Sequence, residues 1–263
     1  MLGIFDSGLG GLTVARRVRA LLPREDLVYL ADQAHVPYGD RTPDELVELL
    51  AHNVAYLVAA GVDAIVMGCN TSCAIAAERG WPASDVPILD LIAVAADAVV
   101  ALGAPRVGVV ATAATARSGA YGNAIRARAP RVSVQEVAAP RLVPLVEAGT
   151  ITGPLARAAV AEALAAFAPP LDALVLACTH YPFLDAEFAA VLGPQVERID
   201  PAVAQADRAV AFVRARGGPN EHGATRYVTT GAPAAFRNAV EAIVGPFGPH
   251  DEIVHAPVTL APR

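Results

Sequence analysis

Two short segments of the chain are near copies of each other, and each carries a cysteine close to its end. Residues 62–71 are VDAIVMGCNT, and residues 171–180 are LDALVLACTH. Cys69 and Cys178 are therefore 109 residues apart, about the spacing expected of two half-chains folded alike. If the halves pack face to face, one thiol from each meets the other across a cleft. Such a pair suits a reaction that needs an acid and a base on opposite faces of one carbon atom.

The cationic residues exclude two common kinds of chemistry. All 20 of them are arginine, and the sequence contains no lysine. Pyridoxal phosphate enzymes need a lysine for the Schiff base, and the nucleotide P-loop needs one for its phosphates. Neither function is compatible with this sequence.

The cysteines also allow two other interpretations. Cys69, Cys73, Cys178 and His180 together offer four soft ligands for zinc. We expect Cys73, one turn into a helix, to be a small buried apolar residue instead, and we predict no metal site. A thiol hydrolase with Cys178 as nucleophile and His180 as base stays open, although it leaves the other thiol without a role.

A glycine-rich turn follows the first apolar segment. It reads Gly8-Leu9-Gly10-Gly11, and Asp32 ends the next apolar segment, which together resemble a dinucleotide fingerprint. The third fingerprint glycine is replaced by Thr13, so we do not predict a nicotinamide site. The turn is instead predicted to bind substrate through backbone amides at the start of a helix, with a plain tight turn as the alternative.

Short apolar segments alternate with helical patterns along the whole chain, which is typical of a parallel sheet covered by helices. The predicted strands are Leu2 to Phe5, Leu27 to Ala31, Ala64 to Gly68, Pro87 to Leu89, Arg106 to Ala111, Val132 to Val137, Ala173 to Cys178, Val196 to Ile199 and Thr225 to Thr229. In such sheets ligands bind beyond the carboxyl ends of the strands. The site is therefore predicted among residues 6–8, 32, 69–71, 112–115 and 178–180.

The position of Cys69, after a strand and at the start of a helix, predicts a lowered thiol pKa, because the helix dipole and free amides favour the thiolate. By symmetry the same is expected of Cys178. One thiolate and one thiol at neutral pH would form a base and acid pair.

Composition limits the partners and the compartment. The 263 residues are 54% hydrophobic, and the formal net charge is −6 with arginines scattered along the chain. This pattern favours a small-molecule substrate over nucleic acid. With no signal-peptide pattern and no charge-free apolar segment of membrane length, we expect a cytoplasmic protein that keeps its three cysteines as thiols.

Seven ordered motifs resemble the glutamate racemase family, whose members interconvert L- and D-glutamate without a cofactor and supply D-glutamate for peptidoglycan. They are GIFDSGLGGLTV (3–14), VPYGDRT (36–42), GCNTSCA (68–74), TAATARSGAY (112–121), VPLVEAG (143–149), ACTHYPF (177–183) and VTTGAPAAF (228–236). The resemblance covers essentially the whole chain, and the absent lysine agrees with it.

The resemblance implies a role for each matched residue. Cys69 and Cys178 would be the two catalytic bases, with Asp6 supporting the first and His180 with Glu147 supporting the second. The first would act on D-glutamate and the second on L-glutamate. The substrate-binding residues would be Ser7, Pro37, Tyr38, Gly39, Asn70, Thr71, Thr115 and Thr179.

The resemblance also implies two pseudo-symmetric parallel-sheet α/β domains with the active site in the cleft between them. We predict residues 1–94 plus 208–263 as the first domain and 95–207 as the second, the C-terminal segment returning to the first. No cofactor or metal is expected, and a homodimer is the assembly to test. Aspartate racemase or a related two-cysteine member of the superfamily is the alternative function.

Overall fold

The computed structural model describes residues 1–219 and 222–256, which form two parallel sheets. The strands are β1 (Leu2–Asp6), β2 (Leu27–Ala31), β3 (Ala64–Met67), β4 (Ile88–Leu89), β5 (Arg106–Ala111), β6 (Ser133–Ala138), β7 (Ala173–Ala177), β8 (Glu197–Ile199), β9 (Thr225–Thr229) and β10 (Glu252–His255). Every paired strand in both sheets is parallel to its neighbour.

Helices connect the strands, as parallel pairing requires. The α-helices are α1 (Leu12–Leu21), α2 (Pro43–Ala59), α3 (Asn70–Arg79), α4 (Leu91–Leu102), α5 (Ala113–Ser118), α6 (Ala120–Arg128), α7 (Leu142–Glu147), α8 (Pro154–Leu164), α9 (Asp185–Leu192), α10 (Pro201–Ala215) and α11 (Pro233–Ile243). Short 3₁₀ segments lie at Gln33–His35, Tyr38–Asp40 and Tyr181–Leu184. None of the helices in the described ranges combines the length and apolar character needed to cross a bilayer.

The two sheets share one strand order, which confirms the pseudo-symmetric α/β fold. The second sheet runs β6-β5-β7-β8, and the first contains β2-β1-β3-β4 in the same arrangement. In each half the first and third strands are therefore central neighbours. The first sheet continues from β2 through β9 to β10, so the C-terminal segment joins the first half.

Three predicted strands, β2, β5 and β9, have the observed bounds, and six others differ by one residue at one or both ends. β10 was not predicted. The proposed domain boundaries at 94/95 and 207/208 fall inside α4 and α10. Both helices are continuous there, so neither position is a linker, and the assignment of domain bounds stays a prediction.

The central strands β1, β2, β3 and β7 are buried along their whole length, which explains why they read as continuous apolar segments. Helices α1, α10 and α11 cover the outer face of the first sheet, and α7, α8 and α9 cover that of the second. A third cluster is shared by both halves: it includes Phe5 and Ile65 from the first sheet and Val107 and Val175 from the second. The halves are thus joined by one continuous apolar core.

Candidate active site

A cavity of about 280 Å³ lies where the carboxyl ends of both sheets meet. Segments that follow β1, β3, β5 and β7 line it, together with residues 36–40 and the helix α7. The lining residues are Ser7, Val36, Pro37, Tyr38, Gly39, Asp40, Cys69, Asn70, Thr71, Thr112, Ala113, Pro140, Val143, Pro144, Glu147, Cys178, Thr179, His180 and Tyr181. Both thiols of the duplicated segments therefore face one space.

Cys69 follows β3 and occupies the N-cap position of α3. Its side chain is 3% exposed, and Sγ donates a hydrogen bond to Ser7 Oγ at 3.6 Å. Burial and the nearby Asp6 raise the pKa of this thiol to about 11. The prediction of a lowered pKa is therefore wrong for Cys69, because removal from water outweighs the helix N-terminus.

Asp6 lies behind Cys69 and is 1% exposed. Its Oδ2 accepts hydrogen bonds from the Gly8 and Gly11 amides at 2.9 and 3.0 Å, while Oδ1 has no partner among the described residues. Burial raises the pKa of this carboxyl. These two amides therefore bind Asp6 rather than a substrate, and substrate binding by the rest of the glycine turn stays a prediction. A Cβ on Gly11 would lie 2.4 Å from the Asp6 Cβ, so this close packing requires glycine.

Cys178 has a different set of neighbours. His180 Nδ1 lies 3.8 Å from Cys178 Sγ, and His180 Nε2 lies 2.5 Å from Glu147 Oε1. Burial lowers the pKa of His180, but the hydrogen bonds to Cys178 and Glu147 outweigh burial and raise the pKa to about 10. The same contact lowers the pKa of Glu147. At neutral pH the imidazole is therefore protonated between a sulfur atom and a carboxylate.

Cys69 lies at the start of an α-helix, but Cys178 does not. No α-helix begins at Cys178; a turn leads to the 3₁₀ segment Tyr181–Leu184, which includes Pro182. The two thiols occupy equivalent strands but unequal environments. Charge near Cys178 comes from a side chain, His180, rather than from helix amides.

Hydroxyl groups from both halves meet at the floor of the cleft. Thr71 Oγ1 and Thr112 Oγ1 are 3.1 Å apart, Thr112 donates to Thr115 Oγ1 at 3.0 Å, and Thr115 Oγ1 lies 3.4 Å from Thr71 Oγ1. Tyr121, on α6, donates a hydrogen bond to Asn70 Oδ1. Because this bond occupies the Asn70 oxygen, the amide is oriented with Nδ2 as the group left to donate elsewhere.

One wall of the cavity is held by a buried polar cluster. Tyr38 is 3% exposed, and its hydroxyl donates to Asp32 Oδ2 at 2.5 Å. Asn53 Nδ2 donates to the same hydroxyl at 3.2 Å. A Cβ on Gly39 would lie 3.2 Å from Thr112 Cβ, so this wall approaches the second half closely.

Most of the predicted site residues line this cavity. Asp6 and Thr115 do not: Asp6 directly precedes the lining residue Ser7, and Thr115 contacts the lining through Thr71. Cys73 is fully buried outside the cavity lining. Within residues 1–219 and 222–256, no three His, Cys, Asp or Glu side chains are grouped to hold a metal ion.

Sequence reasoning missed several lining residues, namely Val36, Asp40, Pro140, Val143, Pro144 and Tyr181. Thr112 and Ala113 lie in the predicted segment 112–115, although no role was assigned to either. Tyr121 stands inside one of the seven motifs, yet its contact with Asn70 joins two halves and has no signal in local spacing.

Comparisons with known proteins show what the chain is similar to. A family model described as Asp/Glu/Hydantoin racemase matches residues 12–209. A glutamate racemase of Desulforudis audaxviator is 41% identical over 256 residues, covering 93% of this chain and 92% of that protein. The structure of Francisella tularensis glutamate racemase in complex with D-glutamate is 30% identical with a TM-score of 0.85, covering 96% of each chain. That of Thermus thermophilus glutamate racemase in complex with beta-chloro-D-alanine is 34% identical with a TM-score of 0.81, covering 97% and 96%.

Proposed function

The chain belongs to the Asp/Glu/hydantoin racemase family, and on this basis we propose that it is a glutamate racemase that needs no cofactor and uses Cys69 and Cys178 as its two bases. The observation that carries the proposal is the pair of thiols facing one cavity, each after the third strand of its half. One thiolate removes the α-proton from one face of glutamate while the opposite thiol delivers a proton to the other face.

The α-proton of an amino acid is a very weak acid, and no imine spreads the carbanion charge here. Stabilisation must come from orientation, exclusion of water and hydrogen bonds to the α-carboxylate as it gains enolate character. Asn70 Nδ2 and the hydroxyls of Thr71 and Thr179 are the donors we assign to substrate carboxylates. Within the described residues no arginine lines the cavity, so we assign the substrate carboxylates to hydrogen-bond donors rather than to arginine.

The environments of the two thiols suggest the protonation state of the resting enzyme. An imidazolium 3.8 Å from Cys178 Sγ stabilises negative charge on that sulfur. Cys69, with a pKa of about 11, stays a thiol at neutral pH. In the direction from L- to D-glutamate, Cys178 removes the α-proton and the Cys69 thiol supplies one to the opposite face.

The reverse direction requires the opposite state, with Cys69 ionised and Cys178 protonated. We assign Asp6 as the residue that supports Cys69. We assign His180 and Glu147 as the residues that support Cys178. A raised pKa makes the thiolate form of Cys69 a small fraction of the molecules, but it also makes that thiolate a stronger base. The greater basicity compensates for the small fraction.

Optical rotation tests the proposal. Purified protein is incubated with L-glutamate and, separately, with L-aspartate, with no cofactor added. We expect the rotation of L-glutamate to decay to zero, since the two enantiomers have equal free energies, and that of L-aspartate to persist. Decay only with L-aspartate would favour the aspartate racemase alternative, and no decay with either would remove the racemase proposal.

We also propose that the D-glutamate formed serves peptidoglycan synthesis in the cytoplasm. Expression of the gene in a bacterium that requires external D-glutamate tests this role, with growth without the supplement as the expected result. A homodimer is the assembly that we propose, and the mass of the purified protein in solution decides it.

A further inference from the structure

Ser72 is a buried polar residue whose position the fold alone does not explain. It is the third residue of α3 and is 1% exposed. Its Oγ has no hydrogen-bond partner among the described residues. A buried hydroxyl in this state destabilises the folded protein, and alanine would continue the helix without that cost. The serine therefore calls for a functional explanation.

The helix geometry relates Ser72 to Cys69. Cys69 is the N-cap of α3, so Ser72 occupies the N3 position. At a helix start, the side chain at the N-cap is the natural acceptor for donors at N2 and N3. In the neutral form, Cys69 makes no such cap and instead donates its proton to Ser7 Oγ.

Ionisation of Cys69 changes what its sulfur requires. A thiolate has no proton to give and only accepts hydrogen bonds. The first-turn amides of α3 have no carbonyl within the helix to bind. The amide and hydroxyl of Ser72 are thus two donors at the N3 position for an acceptor that exists only in the ionised state.

We propose that Ser72 is a positioning residue for the ionised form of Cys69: its hydroxyl and amide complete a thiolate cap at the start of α3. The inference rests on the proposed function, in which Cys69 must alternate between thiol and thiolate. In agreement, the hydroxyl and the amide of Ser72 both lower the pKa of Cys69 against the larger effects of burial and Asp6.

Alkylation of Cys69 by iodoacetamide, followed by the mass of the intact chain, tests this without a substrate. The parent is the full chain with Cys73→Ala and Cys178→Ser, which leaves Cys69 as its one thiol. Loss of a hydrogen bond to a charged group should raise the Cys69 pKa by about one unit. The thiolate fraction then falls about tenfold, but a more basic thiolate is more reactive, so alkylation should be about three- to fourfold slower in S72A at pH 8 to 9.

Two matched variants and the pH profile separate this role from a structural one. Ser72→Thr keeps the hydroxyl and should alkylate at nearly the parent rate. Ser84→Ala, which removes a hydroxyl bound to Val86 O outside α3, should not change the rate. The S72A deficit should shrink to about twofold at pH 11, because the parent is then about half ionised and its thiolate fraction no longer rises tenfold per pH unit. A variant that merely blocks access stays slow throughout.

Thermal unfolding gives a second readout with a defined sign. Removal of a buried hydroxyl without a partner should raise the Tm of S72A by about 2 to 4 °C. An alkylation rate within 1.5-fold of the parent, or a deficit that does not change with pH, would overturn the proposal for Ser72. Because alkylation reports only the thiol, these results stand apart from racemisation: if Cys69→Ala still racemises glutamate, the proposed function fails instead.

Discussion

The roles of the two thiols can be distinguished with variants that keep only one of them. Replacing Cys178 by alanine leaves Cys69 as the sole base, and replacing Cys69 by alanine leaves Cys178. Racemisation should collapse in both, because the opposite face has lost its proton donor. Each remaining base can still remove and return the proton on its own face. In heavy water, C178A should therefore exchange the α-proton of D-glutamate faster than that of L-glutamate, and C69A should show the opposite preference.

The magnitude follows from the environments of the two sulfurs. With a pKa of about 11, Cys69 is a thiolate in about one molecule per thousand at pH 8, and this fraction rises about tenfold with each pH unit up to 11. Exchange by C178A should follow that slope. Exchange by C69A should fall above about pH 10, where the His180 beside Cys178 loses its proton.

Proton NMR of the α-hydrogen signal measures both quantities in one experiment. Cys73→Ala is the matched control, since Cys73 lies outside the cavity, and it should racemise normally. If both single-base variants keep near-normal racemisation, neither cysteine is a base. If both prefer the same enantiomer, the assignment of faces is wrong. A flat pH profile for C178A would refute the link between burial, Asp6 and the basicity of Cys69.

Four further outcomes are expected. The two enantiomers have equal free energies, so kcat/KM should show one bell-shaped pH profile for both, falling above about pH 10 as His180 loses its proton; a plateau there would favour a single base. Dialysis against EDTA should leave full activity, and activity restored by zinc would favour a metal enzyme. Tyr121→Phe should lower kcat/KM about tenfold by freeing the Asn70 amide to rotate, and unchanged kinetics would refute that role. Gly10→Ala places a Cβ 2.2 Å from Thr179 Oγ1 and should raise KM with the fold intact by circular dichroism; an unchanged KM would show that Thr179 does not bind substrate.

Much of the fold was readable from local pattern, because buried parallel strands are continuous apolar segments that end in polar residues. β10 was not predicted because its sequence, EIVH, is short. The strand lies at the edge of the sheet, where half of its side chains are exposed. The position of the cavity also followed from the sequence, since residues that line it come shortly after the first and third strands of each half.

The electrostatics of the site were not readable in this way. A helix start after Cys69 is a local pattern, but the burial of its sulfur and the approach of Asp6 depend on packing between segments more than 60 residues apart. The assumed equivalence of the two thiols failed because Cys178 is followed by a turn and the 3₁₀ segment Tyr181–Leu184 rather than by the start of an α-helix. Repeats in sequence predict equal backbones, and they do not predict equal neighbours.

The apolar core shared by the two halves bears on how such a chain could arise. A polypeptide of one half alone would expose that apolar face to water and would hide it by pairing with an identical copy. Two identical copies must give their two thiols identical surroundings. Joining the halves in one chain removes that restriction, so one thiol can lie beside Asp6 and Ser7 and the other beside His180 and Glu147. L- and D-glutamate are mirror images that bind in the same cavity, and thiols with different surroundings suit two such substrates.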